Sequence, residues 1–398
     1  MIDQALISGS SFLFTITAAK CLVMSDFGVF GLAWTTLLFC SGIHQSLILQ
    51  PLAVLYAEYA PGPANAYLRT LERFHVWIFL VAIPAILAAW LLPAWGGLIA
   101  ATVLAAVLRQ AAEHERRVAY ARHDGPRALL ISCACTLPLV IAAAWFWINP
   151  TMLSCEIIMS AAAAPAAMGW IVGRMLLRQS RDSSDKLSPS PAHAHWTFGK
   201  WVLVSTLAQY AGNQAYPFLI AGMLGLREVA ALTLMRSIVG ITNVFASGIE
   251  AWWTPRARKA FVTGGWAALS HWKRRLELGF LIGISSTLAL CCLCAEPLIR
   301  HIAPSDYADY AWLLQTLALV WGIGLWSRID AMVLQAMKRP QSGTLSNAIA
   351  AAFTISIGPA LVAHAGLYGV VAGFLTNVVI SKSVLSRALT KETRCLHA

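Results

Sequence analysis

Long apolar runs constrain the fold of this chain more than any other feature. A helix needs about 20 apolar residues to cross the roughly 30 Å hydrocarbon core of a bilayer. Charged residues make up 12 % of the chain, against about 25 % in soluble domains, which argues against a soluble globular enzyme. The sequence therefore predicts an all-α, polytopic membrane protein with about 12 transmembrane helices. The predicted spans are 4–23, 27–56, 74–92, 97–120, 128–148, 152–177, 201–224, 229–252, 276–294, 310–336, 343–363 and 367–384.

The distribution of Lys and Arg predicts the orientation of these spans. With the N-terminus inside, the cytoplasmic segments hold 23 of the 29 basic residues, whereas the opposite loops hold Arg227 and Arg300. Cytoplasmic loops of membrane proteins collect Lys and Arg, so both termini are expected in the cytoplasm. The net charge of +11 then reflects topology, and no nucleic-acid partner is expected. The cytoplasmic segments are 57–73, 109–127, 174–200, 253–275, 337–342 and 385–398.

One stretch differs in composition and predicts the domain organisation. Residues 179–195 read QSRDSSDKLSPSPAHAH, which is rich in Ser, Pro and charge and is typical of a flexible linker. We expect a six-helix bundle at 1–178, a cytoplasmic linker at 179–199, and a second six-helix bundle with a short cytoplasmic tail at 200–398. An even number of spans in each half inserts both halves in the same orientation, as in transporters built from parallel repeats. The two halves are expected to face each other across a central cavity.

Polar residues form stripes along the first, seventh and eighth spans. Spacings of three and four residues place each set on one side of its helix. Such residues either bond between packed helices or line a water-filled cavity. We favour a cavity, with Gln4, Gln209, Asn213 and Asn243 among the residues that contact a substrate. The stripes are Gln4, Ser8, Ser11 and Thr15; Ser205, Gln209, Asn213 and Tyr216; and Thr233, Arg236, Asn243, Ser247 and Glu250.

Arg236 is the most informative intramembrane charge. It lies about eight residues into the eighth span, or roughly 12 Å deep at 1.5 Å per residue. A structural interpretation pairs it with Asp26, Glu228 or Glu250. A functional interpretation makes it a cationic cavity wall for an anionic ligand.

Three further charged residues are candidate substrate contacts. Lys20 lies near the outer end of the first span, and Arg328 and Asp330 lie in the inner half of the tenth. Because Arg328 and Asp330 are two residues apart, they point to different faces of the helix and need separate partners. Alternatively, Arg328 extends to the cytoplasmic surface beside Lys338 and Arg339.

Catalytic and metal-binding patterns are missing from the sequence. It contains no GxSxG, HExxH, P-loop or GxGxxG motif. The cysteines at 291, 292 and 294 have no partner cluster at zinc spacing, and His44, His301 and His364 are isolated in the sequence. We therefore expect neither enzymatic activity nor a cofactor or metal ion. The short outer loops, of which 295–309 is the longest, also disfavour a membrane glycosyltransferase or polymerase.

Several short motifs follow one another along nearly the whole chain. They are DQALxSGSSF at 3–12, DFGVF at 26–30, QSLIxxPL at 45–52, the basic helix 108–122, the Arg236 segment ending in TPR at 254–256, and 328–340 with Arg328-x-Asp330 and KRP. In this order they resemble the Wzx-type polysaccharide flippases of the multidrug/oligosaccharidyl-lipid/polysaccharide exporter superfamily. Two positions depart from the pattern: Lys20, where an Ala-Arg pair is expected, and Lys338, where a small residue is expected.

This resemblance implies a MATE-like fold and a function. The implied protein lies in the bacterial inner membrane and flips a polyprenyl-pyrophosphate-linked oligosaccharide to the periplasmic leaflet, during exopolysaccharide, capsule or O-antigen assembly. Membrane lipids, a polysaccharide polymerase and glycosyltransferases are the implied partners. The alternatives are a drug/cation antiporter of the same superfamily and, from another class, a membrane glycosyltransferase, a polymerase or a non-transporting assembly scaffold. An antiporter would need acidic residues in its N-terminal cavity, where the sequence has few beyond Asp3 and Asp26.

Overall fold

Helices account for nearly all of the chain, as the apolar runs predict. The computed structural model describes residues 2–59, 64–89, 92, 95–149, 153–177, 191–337, 339 and 341–397, and no β-strand occurs in these ranges. The helices are α1 (Ile2–Cys21), α2 (Met24–His44), a π-helical turn (Gln45–Leu49), α3 (Gln50–Tyr59), α4 (Ala64–Ala89), α5 (Gly96–Ala121), α6 (Gly125–Ile148), α7 (Cys155–Leu177), α8 (Pro191–Asn213), α9 (Tyr216–Met223), α10 (Leu226–Leu293), α11 (Ala295–Ile302), a 3-10 turn (Ser305–Tyr310), α12 (Ala311–Ala336), α13 (Gln341–Ser356) and α14 (Gly358–His397).

The apolar helices confirm a polytopic membrane protein. Each of the 12 predicted spans overlaps a described helix. Within the described ranges, eight helical segments are long and apolar enough to cross a membrane by length and composition. The predicted spans outside this set lie on α1, on α8 and α9, on the first part of α10 and on α13. Three of these four carry the polar stripes, and the same polar residues lower their hydropathy.

The chain divides into two compact units, residues 1–207 and 208–398. In unit 1, α5 packs against α7, and α6 packs against α1 and α7. In unit 2, α12 packs against α10 and α14, and α13 packs against α14. The division falls within α8, so the predicted domain boundaries at 178 and 200 stay a prediction.

The predicted flexible linker is wrong for its last residues. Residues 178–190 lie outside the described part, but 191–195 form the first turns of α8. His195 is buried there, and its Nδ1 donates to the Leu47 carbonyl at 3.1 Å. Its Nε2 accepts from the Tyr67 hydroxyl at 2.7 Å. These bonds to the π-helical turn and to α4 order a segment whose composition alone is typical of a flexible chain.

Two glycines explain local features of the helices. Gly265 interrupts α10 with φ 61° and ψ −152°, a conformation that residues with a Cβ rarely adopt. It thereby separates the predicted eighth and ninth spans. On α7, a Cβ at Gly173 would lie 2.5 Å from Cβ of Glu115, so α5 and α7 approach each other closely only because this side chain is missing.

Candidate functional site: two cationic positions

Unit 1 encloses a cavity of about 270 Å³ between α1, α2, α5, α6 and α7. Gln4 and Ser11 line it from α1, as the first polar stripe predicts. Trp34 and Ser41 contribute from α2, and Arg109 contributes from α5. The cavity therefore has polar residues on its α1, α2 and α5 walls.

The charged lining of this cavity is mainly basic. Arg109, Arg116 and Arg117 line it together with a single described carboxylate, Glu113. Glu113 is bonded to Arg116 Nε and Nη2 at 2.8 and 2.7 Å and to Arg117 Nε at 2.9 Å. Arg116 Nη1 also donates to Asp3 Oδ2 at 2.6 Å. This network neutralises Arg116 and fastens the first turn of α1 to α5.

Arg109 forms no hydrogen bond or ion pair with that network among the described contacts, although the charge of Glu113 acts on it. Its guanidinium carbon lies 5.4 Å from the centroid of the Trp34 ring. Within the described part of the chain, no carboxylate lies within 4.0 Å of it. A cation on an aromatic ring keeps its charge available to an anion that enters the cavity. Arg109 is thus a cation of this cavity that no ion pair holds in the described part of the chain.

Arg236 is the corresponding position of unit 2. Its guanidinium carbon lies 5.4 Å from the Phe374 ring centroid and 5.9 Å from that of Trp321. No carboxylate of the described residues comes within 4.0 Å of it. Glu250, one of its expected partners, instead accepts from Arg328. The ion-pair interpretation of Arg236 therefore has no support in this unit.

Arg328 and Asp330 are both neutralised by specific partners. Arg328 Nε and Nη2 donate to Glu250 Oε2 at 2.9 and 2.6 Å, which joins α12 to α10. Asp330 accepts from Lys382 Nζ at 2.7 Å, which joins α12 to α14, and Lys273 Nζ lies 3.9 Å away. The separate partners agree with the two-residue spacing. The alternative that Arg328 extends to the cytoplasmic surface beside Lys338 and Arg339 stays a prediction, because Lys338 lies outside the described residues.

The other predicted contacts occupy varied positions. In unit 1, Lys20 is exposed at the end of α1, with Nζ 4.0 Å from the Trp147 ring centroid, and it does not line the cavity that Gln4 lines. In unit 2, Gln209 is exposed, and its carbonyl accepts from Asn213 Nδ2 at 3.3 Å. Asn243 is half-buried on α10, the helix that carries Arg236.

Sequence reasoning missed Arg109 because it counted this residue only as a cytoplasmic, orienting charge. A usable signal was present. Arg109, Glu113 and Arg116 are spaced four and three residues apart, which places them on one face of α5. The same spacing rule that identified the stripe on α1 therefore identifies the facing wall of the cavity.

The whole chain is similar in fold to solved membrane transporters. An inward-facing multidrug resistance MATE family transporter of the MOP superfamily matches with a TM-score of 0.76 and 14 % identity, over 98 % of this chain and 96 % of that chain. A MOP superfamily transporter from Pyrococcus furiosus matches with a TM-score of 0.69 and 14 % identity, over 100 % and 95 % of the two chains. The lipid II flippase MurJ in an inward closed conformation matches with a TM-score of 0.69 and 9 % identity, over 98 % and 87 %.

The chain has the MOP-superfamily fold. No protein-family profile and no curated protein sequence matches it. At identities of 9 to 14 %, the likeness establishes the architecture and leaves the substrate to be argued from the side chains of this chain.

Proposed function

We propose that the protein is a transporter that flips a polyprenyl-pyrophosphate-linked oligosaccharide across the bacterial inner membrane. The observation that carries the proposal is the pair of cations without carboxylate partners in the described structure, Arg109 in unit 1 and Arg236 in unit 2. A pyrophosphate is the anion that such positions fit, because guanidinium groups bind phosphate oxygens with paired hydrogen bonds.

The magnitude of the attraction supports a role in transport. A unit charge 4 Å from a fixed cation gains about 4 kcal/mol at an effective dielectric constant near 20, and desolvation offsets part of this. Binding must still permit release, so single separated cations suit a carrier better than one tight cluster. Gln4 beside Arg109, and Gln209, Asn213 and Asn243 in unit 2, supply amides that can bond to sugar hydroxyls.

The remaining predicted contact residues, Lys20, Arg328 and Asp330, contribute less to the proposed substrate site. Lys20 offers an exposed charge at the end of α1, where it can meet a headgroup near the membrane surface. Arg328 and Asp330 would contact a substrate only if their ion pairs with Glu250 and Lys382 opened. We propose alternating access by rocking of the two halves, with both termini in the cytoplasm. Glycosyltransferases and a polymerase are the proposed assembly partners.

The second candidate function is drug/cation antiport. The fold likeness to a multidrug resistance MATE family transporter, at a TM-score of 0.76, favours it. The polarity of the unit 1 cavity opposes it, because the one described carboxylate that lines the cavity is bonded to two arginines. In the Pyrococcus furiosus MOP superfamily transporter, a reversed polarity of the binding pocket suggests a different function.

Binding of two lipophilic ions of opposite charge separates the candidates. The full-length protein in lipid nanodiscs should bind farnesyl pyrophosphate, an anion with a short isoprenoid chain, in preference to tetraphenylphosphonium. Arg109→Gln or Arg236→Gln should each weaken farnesyl pyrophosphate binding at least tenfold, which corresponds to about 1.4 kcal/mol. Arg300→Gln is the matched control, because Arg300 is exposed and pairs with Glu296 on its own helix. Preferential binding of tetraphenylphosphonium would refute the flippase and support the antiporter.

A further inference from the structure

Three histidines from different helices meet inside unit 1. His44 ends α2, His75 lies on α4 and His114 lies on α5, and they are 5 %, 8 % and 3 % exposed. The Nε2 atoms of His44 and His75 are 2.8 Å apart. The ring centroids of His75 and His114 are 4.2 Å apart. The residue called isolated in the sequence, His44, is therefore part of a compact histidine cluster.

The hydrogen bonds determine where the protons of this cluster lie. His75 Nδ1 is 3.1 Å from the Leu71 carbonyl, which can only accept, so this nitrogen carries a hydrogen. In the neutral ring, His75 Nε2 is then an acceptor, and His44 must donate to it from Nε2. The lone pair of neutral His44 consequently lies on Nδ1. His44 lines the same cavity as Arg109, which gives this base access to a ligand-filled space.

His114 adds a second unused position. Its Nδ1 is buried and has no hydrogen-bond partner in the described structure. A buried polar atom without a partner costs about 1–3 kcal/mol. A histidine kept in this state beside two others is difficult to explain as packing alone, because an apolar side chain would fill the same space without that cost.

Charged groups of both signs surround the cluster. Arg174 on α7 lies 2.7 Å from Glu72 on α4 and 3.7 Å from Glu115 on α5, and Arg122 also acts electrostatically on Glu115. Arg174 and His195 of α8 both act electrostatically on His114. On the cavity side, the described titratable and charged groups are Arg109, Glu113, Arg116, Arg117 and Cys135.

We propose that His44, His75 and His114 form a proton-binding site that takes up one proton from the unit 1 cavity. The proton binds to the lone pair of His44 Nδ1. The hydrogen on His44 Nε2 then moves to His75 Nε2 across the 2.8 Å bond, and His75 keeps its bond to the Leu71 carbonyl. The cluster thereby gains one proton and one positive charge. The charge lies on His75, whose ring contacts that of His114.

This site deepens the proposed function, on which it rests for its coupling to an anion. A proton bound beside the cavity attracts the anion that Arg109 attracts. By linkage, an anion in the cavity must favour the bound proton by the same factor. The cluster would then couple a proton gradient to the movement of the substrate.

Nuclear magnetic resonance of ¹⁵N-histidine-labelled protein in nanodiscs tests the site, because ¹⁵N shifts report each tautomer. Between pH 5 and pH 8.5, the full-length protein should show one proton-uptake step shared by His44 and His75. His44→Gln should abolish the shared step, and His75→Asn is the second variant should the first fail to fold. His364→Gln should leave it intact, because His364 is exposed in unit 2.

Several outcomes would overturn the proposal. The three histidines would be a hydrogen-bonded core if all stayed neutral down to pH 5, or if each titrated independently. Stoichiometric loss of their signals on addition of Zn²⁺ would indicate a metal site instead, although no metal-binding group of His, Cys, Asp and Glu occurs in the described ranges.

Inorganic sulfate, whose charge does not change over this pH range, tests the coupling separately. With sulfate present, the shared step should reach half-saturation at about one-tenth of the proton concentration that it needs without sulfate. If sulfate does not change the proton concentration at half-saturation, the coupling to an anion is refuted, but the proton-binding site is not. Conversely, failure of farnesyl pyrophosphate to bind would refute the proposed function and leave the histidine titration unchanged.

Discussion

Replacement of Arg236 by alanine should reduce transport strongly while it changes the stability of the protein only slightly. The variant loses two cation–aromatic contacts, to Phe374 at 5.4 Å and to Trp321 at 5.9 Å. Such contacts are worth about 0.5–1 kcal/mol each at exposed sites and up to about 2 when desolvated. The variant also removes a half-buried cation that has no carboxylate partner in the described structure, and this gain offsets the loss. We expect the free energy of unfolding to change by no more than about 1 kcal/mol.

Transport should change far more. If desolvation offsets half of the roughly 4 kcal/mol attraction between Arg236 and a phosphate charge, about 2 kcal/mol remains, or a factor of about 30 in binding. Arg236→Lys should retain part of the activity, because the charge survives without the guanidinium fork. Flipping activity should therefore decrease in the order wild type, Arg236→Lys, Arg236→Ala.

The assay uses proteoliposomes that contain an NBD-labelled undecaprenyl pyrophosphoryl monosaccharide, with dithionite quenching as the measure of flipping. Thermal unfolding of the same preparations reports stability, and Arg300→Ala is the control, because Arg300 is exposed beside Glu296. Full flipping by Arg236→Ala would refute the reasoning. Rescue of Arg236→Ala by Glu228→Gln would likewise show that this arginine is a structural ion-pair partner.

Three further predictions concern topology, the linker and the α1–α5 network. A reporter inserted in the loop 149–156 should report the periplasm, and a cytoplasmic signal there would overturn the proposed orientation of every span. Deletion of five residues within 180–190 should leave flipping largely intact, because loop length changes closure entropy only slightly; loss of flipping in protein that still reaches the membrane would contradict a slack tether. Arg116→Ala should lower the free energy of unfolding by about 1–3 kcal/mol, because it removes the cationic partner 2.6 Å from the buried Asp3 carboxylate, which keeps its hydrogen bond from the Tyr120 hydroxyl; Arg127→Ala, which breaks an exposed pair, should cost less than about 1 kcal/mol in the same thermal assay.

The membrane fold was predictable from local properties of the chain. Apolar runs and helical periodicity need no tertiary information, because a segment in a bilayer must satisfy its own backbone hydrogen bonds within one helix. The same periodicity predicted that Gln4 and Ser11 share a face, and both line the cavity. It also predicted separate partners for Arg328 and Asp330. Composition failed for residues 191–195, because His195 accepts from the Tyr67 hydroxyl and donates to the Leu47 carbonyl, and these bonds order the segment.

Which charges are neutralised depended on the packing of distant helices. Arg236, Arg328 and Glu250 were all visible as intramembrane charges, yet only the packing of α10 against α12 assigned Glu250 to Arg328 and left Arg236 on two aromatic rings. His44, His75 and His114 lie 31 and 39 positions apart in the sequence. Their 2.8 and 4.2 Å contacts arise because three helices cross at one point. Periodicity specifies the face of a helix on which a side chain lies, whereas an ion pair or hydrogen bond requires atoms within about 3–4 Å, a distance that only the packing of the helices determines.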